Sequence, residues 1–228
     1  MPGTYFFYFN LEKPPFNSIL VRQAFAAAID RKALVEIAKK YGARNPEPAT
    51  TFTPSVTLGR DLYNEVGIPF DPSHAKELLR QAGYTDPSKF PSVMLLISVA
   101  SSNTPGFHVK ITEAMVDMWR QNLGVEVSYQ TLDRGTFFSR IDSDPSEMFR
   151  LIIYSDINDP NHFLPIFTTD ADYNYGGFSN SEFDKLIDRA AKISDPAERQ
   201  LLYMQAERIL CETEIAIIPI YHSLYPDW

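Results

Sequence analysis

The sequence predicts an α/β fold built on one central sheet. Short apolar runs alternate with longer segments whose apolar residues recur every three to four positions, and Gly or Pro punctuates most of the joins. With 228 residues the chain can bury a large core, so one large domain, or two small ones, is expected. Strands alternating with helices pack as a sheet flanked by helices, here expected to be mixed.

Tyr5-Phe-Phe-Tyr-Phe-Asn10 reads as the first strand, because aromatic side chains suit a pleated, buried surface. Pro14-Pro15 ends it. Val21, Ala24, Phe25, Ala28 and Ile29 then make a helical stripe that Asn17 or Ser18 can cap. Asp30 is placed to cap a second helix, which reaches about Lys40 and stops at Gly42. Residues 43–70 contain Pro46, Pro48, Pro54 and Pro69 and little periodicity, as in a long irregular surface segment. Asp71-Pro72 opens the next helix, with Ala75, Leu78, Leu79 and Ala82 on its buried face and Gly83 at its end.

The continuous apolar run Val93-Met-Leu-Leu-Ile97 suits a central strand covered on both faces. Ile111, Ala114, Met115, Met118 and Trp119 form a further helical stripe, and Val125, Val127 and Tyr129 alternate as a strand. That strand–helix–strand order implies a right-handed parallel crossover. A helix near 134–142 and a strand at Leu151-Ile-Ile-Tyr154 follow. Phe183, Leu186, Ile187, Ala190 and Ala191 mark another helix, and Asp195-Pro196 starts one that runs to about Glu212. Ile215-Ala-Ile-Ile-Pro-Ile220 is the last strand. Pro219 has no N–H to give a ladder, so it places that strand at an edge or a bend.

The formal net charge of −8 argues against nucleic acid as a partner, because phosphate binding needs a basic face and no run of five Lys or Arg occurs. An acidic balance suits a cationic or amine-bearing ligand, and equally suits plain solubility. The single cysteine, Cys211, excludes an intrachain disulfide and reads as a small packed residue in a helix. No apolar run approaches the ~18 residues of a membrane span. Met1-Pro-Gly-Thr-Tyr has no basic leader and no cleavage signal, as expected of a cytosolic protein or of a piece from inside a longer exported chain.

The residues give little sign of catalysis. G-x-S-x-G, G-x-x-x-x-G-K-[ST] and G-x-G-x-x-G are all absent, and Gly176-Gly177 reads as a turn. His74, His108, His162 and His222 lie far apart in sequence, so no metal or cofactor is expected. Asp156 and Asn158 would start a calcium loop, but Asn161 stands where glycine is needed and Phe167 where glutamate is needed. Placement is more telling. Ligands of open α/β sheets bind outside the carboxyl ends of strands, and Asp156 falls two residues past Tyr154. A carboxylate there can accept from a ligand ammonium, or it can cap the helix at Pro160, a role for which Asp159 is better spaced.

Several segments, in this order, resemble one family, the large extracellular solute-binding proteins of oligopeptide, dipeptide and nickel ABC importers. They are Asn10-Leu-Glu-Lys-Pro-Pro-Phe16, Val21-Arg-Gln-Ala-Phe25 with Ala28-Ile-Asp-Arg31, Phe70-Asp-Pro72, and Leu78-Leu-Arg-Gln-Ala-Gly-Tyr84. Asn158-Asp-Pro160, Gly177-Phe-Ser-Asn180, Arg199, Leu202-Tyr203 and Ile218-Pro-Ile-Tyr221 continue the series. Together they span nearly the whole chain. The resemblance implies a type II periplasmic-binding-protein-like lobe. Residues 1–228 would be the second, C-terminal lobe of a two-lobed protein, without its first lobe.

It further implies a substrate-binding role in import, by lobe closure over a peptide or similar small solute, with a permease as partner and no catalysis. The location would be periplasmic or extracellular, at the membrane. Asp156 matches the aspartate that holds a peptide's amino terminus. Ile153 and Tyr154 stand where the family often has a tryptophan, which leaves room for a sugar, a modified peptide or an opine-like ligand. Asn158 shares the Asp156 loop, and Tyr221 and His222 fall where the returning strand passes the cleft. Two other readings compete: a protein-interaction module docking through residues 43–70, and a hydrolase using Asp156, Asp159 and His162.

Overall fold

The computed structural model describes residues 1–58, 66–99 and 106–223. A six-stranded mixed sheet runs through its centre in the order β2-β6-β1-β5-β3-β4. β1 (Gly3–Phe9) is the aromatic strand expected from the sequence, and every residue in it is buried. Its alternation splits five large rings between two cores: Tyr5, Phe7 and Phe9 face one, and Phe6 and Tyr8 the other. Each such burial stabilises the fold by roughly 1.5–3 kcal/mol. β1 therefore sits centrally, antiparallel to both β5 (Met148–Tyr154) and β6 (Ile217–Ser223).

The first face of the sheet is covered by α1 (Ile19–Ala27), α2 (Arg31–Lys40), α4 (Pro72–Gln81) and α5 (Phe107–Leu123). Asp30 caps α2 through the amides of Lys32 and Ala33, and Asp71 caps α4 through that of His74. Ser18 holds the cap position of α1, but its side chain makes no cap bond. α5 joins β3 (Val93–Ser98) to β4 (Val127–Leu132), and these two strands pair in parallel as the crossover requires. Trp119 is fully buried and donates its indole N–H to the carbonyl of Phe25 at 3.0 Å, tying α5 to α1.

The second face carries α3 (Ser55–Leu58), α6 (Arg134–Ser143), 3-10 turns at Pro160–His162 and Leu164–Phe167, α7 (Ser181–Lys192) and α8 (Pro196–Arg208). A π turn, Ile209–Thr213, prolongs α8 to within a residue of its expected end. Cys211 is buried there as a packed side chain. The irregular segment 43–70 holds α3 and the two-residue β2 (Glu47–Pro48), and its positions 59–65 lie outside the described residues. Proline 219 lies in an interior strand. Of the two positions open to it, the bend is the one seen: the β1–β6 register shifts between Tyr5 and Phe6, where Phe6 pairs with Pro219. β2 reaches β6 only at Tyr221 and His222, so it never calls on the missing N–H.

Candidate ligand-binding site

Strand directions place the carboxyl ends of β3, β4, β5 and β6 on one rim of the sheet, beside the start of β1. Gly3 pairs with both Tyr154 and Ser223, and Ser98 with Leu132. Ser155 still donates its amide to the carbonyl of Pro2 at 3.0 Å, so pairing persists to the lip. There the chain turns. The Ser155 hydroxyl bonds both the amide and the carbonyl of Ile157, which presents Asp156 at the tip of the turn. Asp156 is exposed, as its placement past the strand end predicts.

The other expected site residues divide sharply. Tyr154 is half-buried at the strand end, and its ring fills the space above Gly3. Ile153, one residue earlier, faces the opposite layer and packs against the second core. Asn158 is exposed but bonds α3, accepting from the hydroxyl of Thr57 and donating to the carbonyl of Val56. Tyr221 is fully buried and stacks on Tyr5 with ring centroids 4.9 Å apart. His222 is also buried, with Nε2 3.0 Å from the carbonyl of Thr51, and burial lowers its pKa to about 4. Both are therefore packed within the sheet just behind the rim. The structure brings Asp156, Tyr154 and Asn158 together at the lip and leaves Ile153, Tyr221 and His222 behind it.

The geometry adds two residues that the sequence reading passed over. Arg150 lies on β5 four residues before Tyr154, on the same face by alternation. It is 5% exposed, it lies over the ring of Tyr5 at 5.3 Å, and one Nη donates to the carbonyl of Ser98 at 2.8 Å. Its Nε has no hydrogen-bond partner, and no carboxylate pairs with it among the described residues. His108, in the first turn of α5, packs its ring 5.6 Å from that of Tyr5, and its Nδ1 is buried without a partner. Burial, and then the charge of Arg150, depress its pKa to about 3, so its imidazole is neutral at physiological pH. Arg150 is thus an uncompensated cation just inside the rim. The signal was present in the sequence: an arginine interrupts the otherwise apolar Met148–Tyr154.

Among the described residues, cavities lie elsewhere. One of about 420 Å³ lies between α6 and the outer strands, lined by Leu96, Leu132, Thr136 and Arg140 among others. Another, of about 380 Å³, lies between α4 and the end of α5. Neither touches Asp156 or Arg150. Asp159 of the hydrolase reading is already engaged: both its oxygens accept from Arg199, at 2.8 and 2.9 Å, and Oδ1 also caps the turn at Asn161. Those bonds to Arg199 hold the Asp159 carboxyl below the usual carboxylate range, the reverse of what a general base needs. Among the described residues no group of His, Cys, Asp and Glu is disposed to hold a metal ion.

The family of bacterial extracellular solute-binding proteins, family 5 (its middle region), matches residues 1–175. The chain belongs to this family. It is 31% identical over 223 residues to the periplasmic oligopeptide-binding protein OppA of Salmonella typhimurium, covering 96% of this chain and 39% of that protein. It is 33% identical over 226 residues to the periplasmic murein peptide-binding protein MppA of Escherichia coli, covering 96% and 40%. The solved structure of the E. coli murein tripeptide-binding protein superposes with a TM-score of 0.82 at 30% identity, covering 98% of this chain and 44% of that one. The chain therefore spans about two fifths of the length of these family members. Its architecture is α/β, a six-stranded mixed sheet flanked by helices.

Proposed function

We propose that this family 5 chain is one wall of a two-lobed solute-binding protein that captures short peptides, or solutes with the same pair of charged ends, outside the cytoplasmic membrane for an ABC importer, and that it performs no chemistry on them. The observation that carries the reading is the placement of opposite charges at one strand end: Arg150, on β5, buried and uncompensated inside the rim, and Asp156, two residues past the strand and exposed at its lip. A buried cation without a counterion costs several kcal/mol, and a ligand carboxylate would offset that cost. An ammonium fits Asp156 for the complementary reason.

The strand from Arg150 to Tyr154 is about 13 Å long. An extended peptide advances ~3.3–3.6 Å per residue, so a peptide of about three to four residues covers the stretch of strand between Arg150 and the lip. The peptide-binding names of OppA and MppA agree with that reading. Tyr154 would supply an apolar and aromatic surface between the charges, and Asn158 would fix the lip.

Closure follows from energetics. A ligand stabilises a closed form only through contacts it lacks in the open form. Micromolar affinity requires about 8 kcal/mol, whereas an ion pair left wet on one wall contributes ~1 kcal/mol or less. The second wall would come from the part of the family's length that this chain does not span. Trialanine titrated into the 228-residue chain should bind with a dissociation constant in the millimolar range, weakened further by Arg150→Met and by Asp156→Asn. Micromolar binding to this chain alone, or affinity indifferent to both substitutions, would refute the proposal.

A further inference from the structure

We infer that Arg199 is a positioning residue for the ligand: acting through Asp159, it fixes where Asp156 stands at the rim. This rests on the reading of Asp156 as the ammonium acceptor. Arg199, Tyr203 and Glu207 recur every four residues on α8 and so share one face of it. All three make bonds to loops near the carboxyl rim.

The guanidinium of Arg199 is fixed from several sides. It donates to both oxygens of Asp159, to the carbonyl of Ala190 at 3.0 Å and to the hydroxyl of Tyr203 at 3.1 Å. Tyr203 passes the restraint on, its hydroxyl lying 3.2 Å from Oδ1 of Asn161. Two turns after Arg199, Glu207 is fully buried, and its carboxylate accepts from the amides of Phe52 and Thr53 at 2.8 and 2.7 Å. Gln200 donates to the carbonyl of Leu58 at the end of α3. α3 in turn bonds Asn158 through Thr57 and Val56.

These bonds close a circuit: α8 to Asp159, Asn158 to α3, and Leu58 back to α8. The segment 156–158 is therefore pinned at both ends, by the sheet at Ser155 and by Arg199 at Asp159. A bidentate fork sets an orientation as well as a distance, which a point charge does not. The position of Asp156, at the tip between these two anchors, is inherited from this frame.

The test compares trialanine with N-acetyl-trialanine by NMR titration of the 228-residue chain, which separates recognition of the amino terminus from all other contacts. The unmodified chain should prefer the free amino terminus by about threefold, as for a solvent-exposed pair. Arg199→Met should reduce that preference to about one, while affinity for the acetylated peptide stays within about twofold. Arg199→Lys, which keeps the charge without the fork, should fall between. A wild-type preference in Arg199→Met would overturn the inference, and so would an equal loss of affinity for both peptides, the mark of a merely structural role. Should Arg199→Met fail to fold, Arg199→Lys decides by the same ratio. Asp156→Asn is the control: if it abolishes the preference and the Arg199 variants do not, only the positioning role fails. If Asp156→Asn retains the preference, the reading beneath it fails as well.

Discussion

The ring of Tyr154 occupies the space that a side chain on Gly3 would need. A Cβ on Gly3 would stand 2.1 Å from Cδ1 of Tyr154 and 2.7 Å from the carbonyl oxygen of Ile153. The first strand therefore begins with glycine where two strands and an aromatic ring converge on the rim. Gly3→Ala should destabilise the chain by about 1–3 kcal/mol, as overpacking does. Adding Tyr154→Ala should recover only part of the loss, because the carbonyl of Ile153 remains in the way. Urea unfolding of the single and double variants measures both.

Glu207 offers a second, sharper case. Both its carboxylate oxygens face backbone N–H donors in a fully buried site. Glu207→Gln puts an NH2 where an acceptor is needed and leaves one of the amides of Phe52 or Thr53 unsatisfied. The expected cost is about 1–3 kcal/mol. Amide exchange at Phe52 and Thr53 should accelerate together with the fall in stability. A neutral outcome would mean that the carboxylate is not what holds this segment.

The contrast between Asp156 and Glu207 shows what was legible in the sequence. Period and capping located the strands and helices because each rests on local chemistry: Asp30 and Asp71 cap where their spacing says, and the aromatic run at 5–9 is a buried strand. The exposed position of Asp156 was legible because it lies two residues past the end of an apolar strand. The pairings of Arg199 with Asp159 and of Glu207 with residues 52–53 were not, since the partners are 40 and about 155 residues apart. The burial of Tyr221 and His222 was likewise not legible. A position near the rim along the strand does not tell which side chains are enclosed once a neighbouring segment folds over them. Arg150 was visible as an anomaly in an apolar strand, but its isolation from any carboxylate needs the tertiary structure.

Acid should weaken the fold through His222. Its pKa in the folded chain is about 4, below the 6.5 of a free imidazole, because it is buried. As pH falls through 6.5 the unfolded chain takes up the proton first, so this group's contribution to stability is intact above 6.5 and is lost towards 4. His108, lowered to about 3, acts in the same direction. Glu207, raised by burial, acts in the opposite one. A tenfold difference in proton affinity between the folded and unfolded chain corresponds to about 1.4 kcal/mol. In His222→Gln, unfolding midpoints should depend less steeply on pH across that window than in the unmodified chain. Equal slopes would show that the imidazole is not the group responsible.

The most direct measurement is where a short zwitterionic peptide touches the chain. Trialanine added to isotopically labelled protein should move the side-chain resonances of Arg150 and Asp156 together, with one shared dissociation constant, and Arg150→Met should lower the affinity reported by Asp156. Shifts confined to the cavity around Leu96 and Arg140, or a peptide felt by one end of the strand and not the other, would contradict the account.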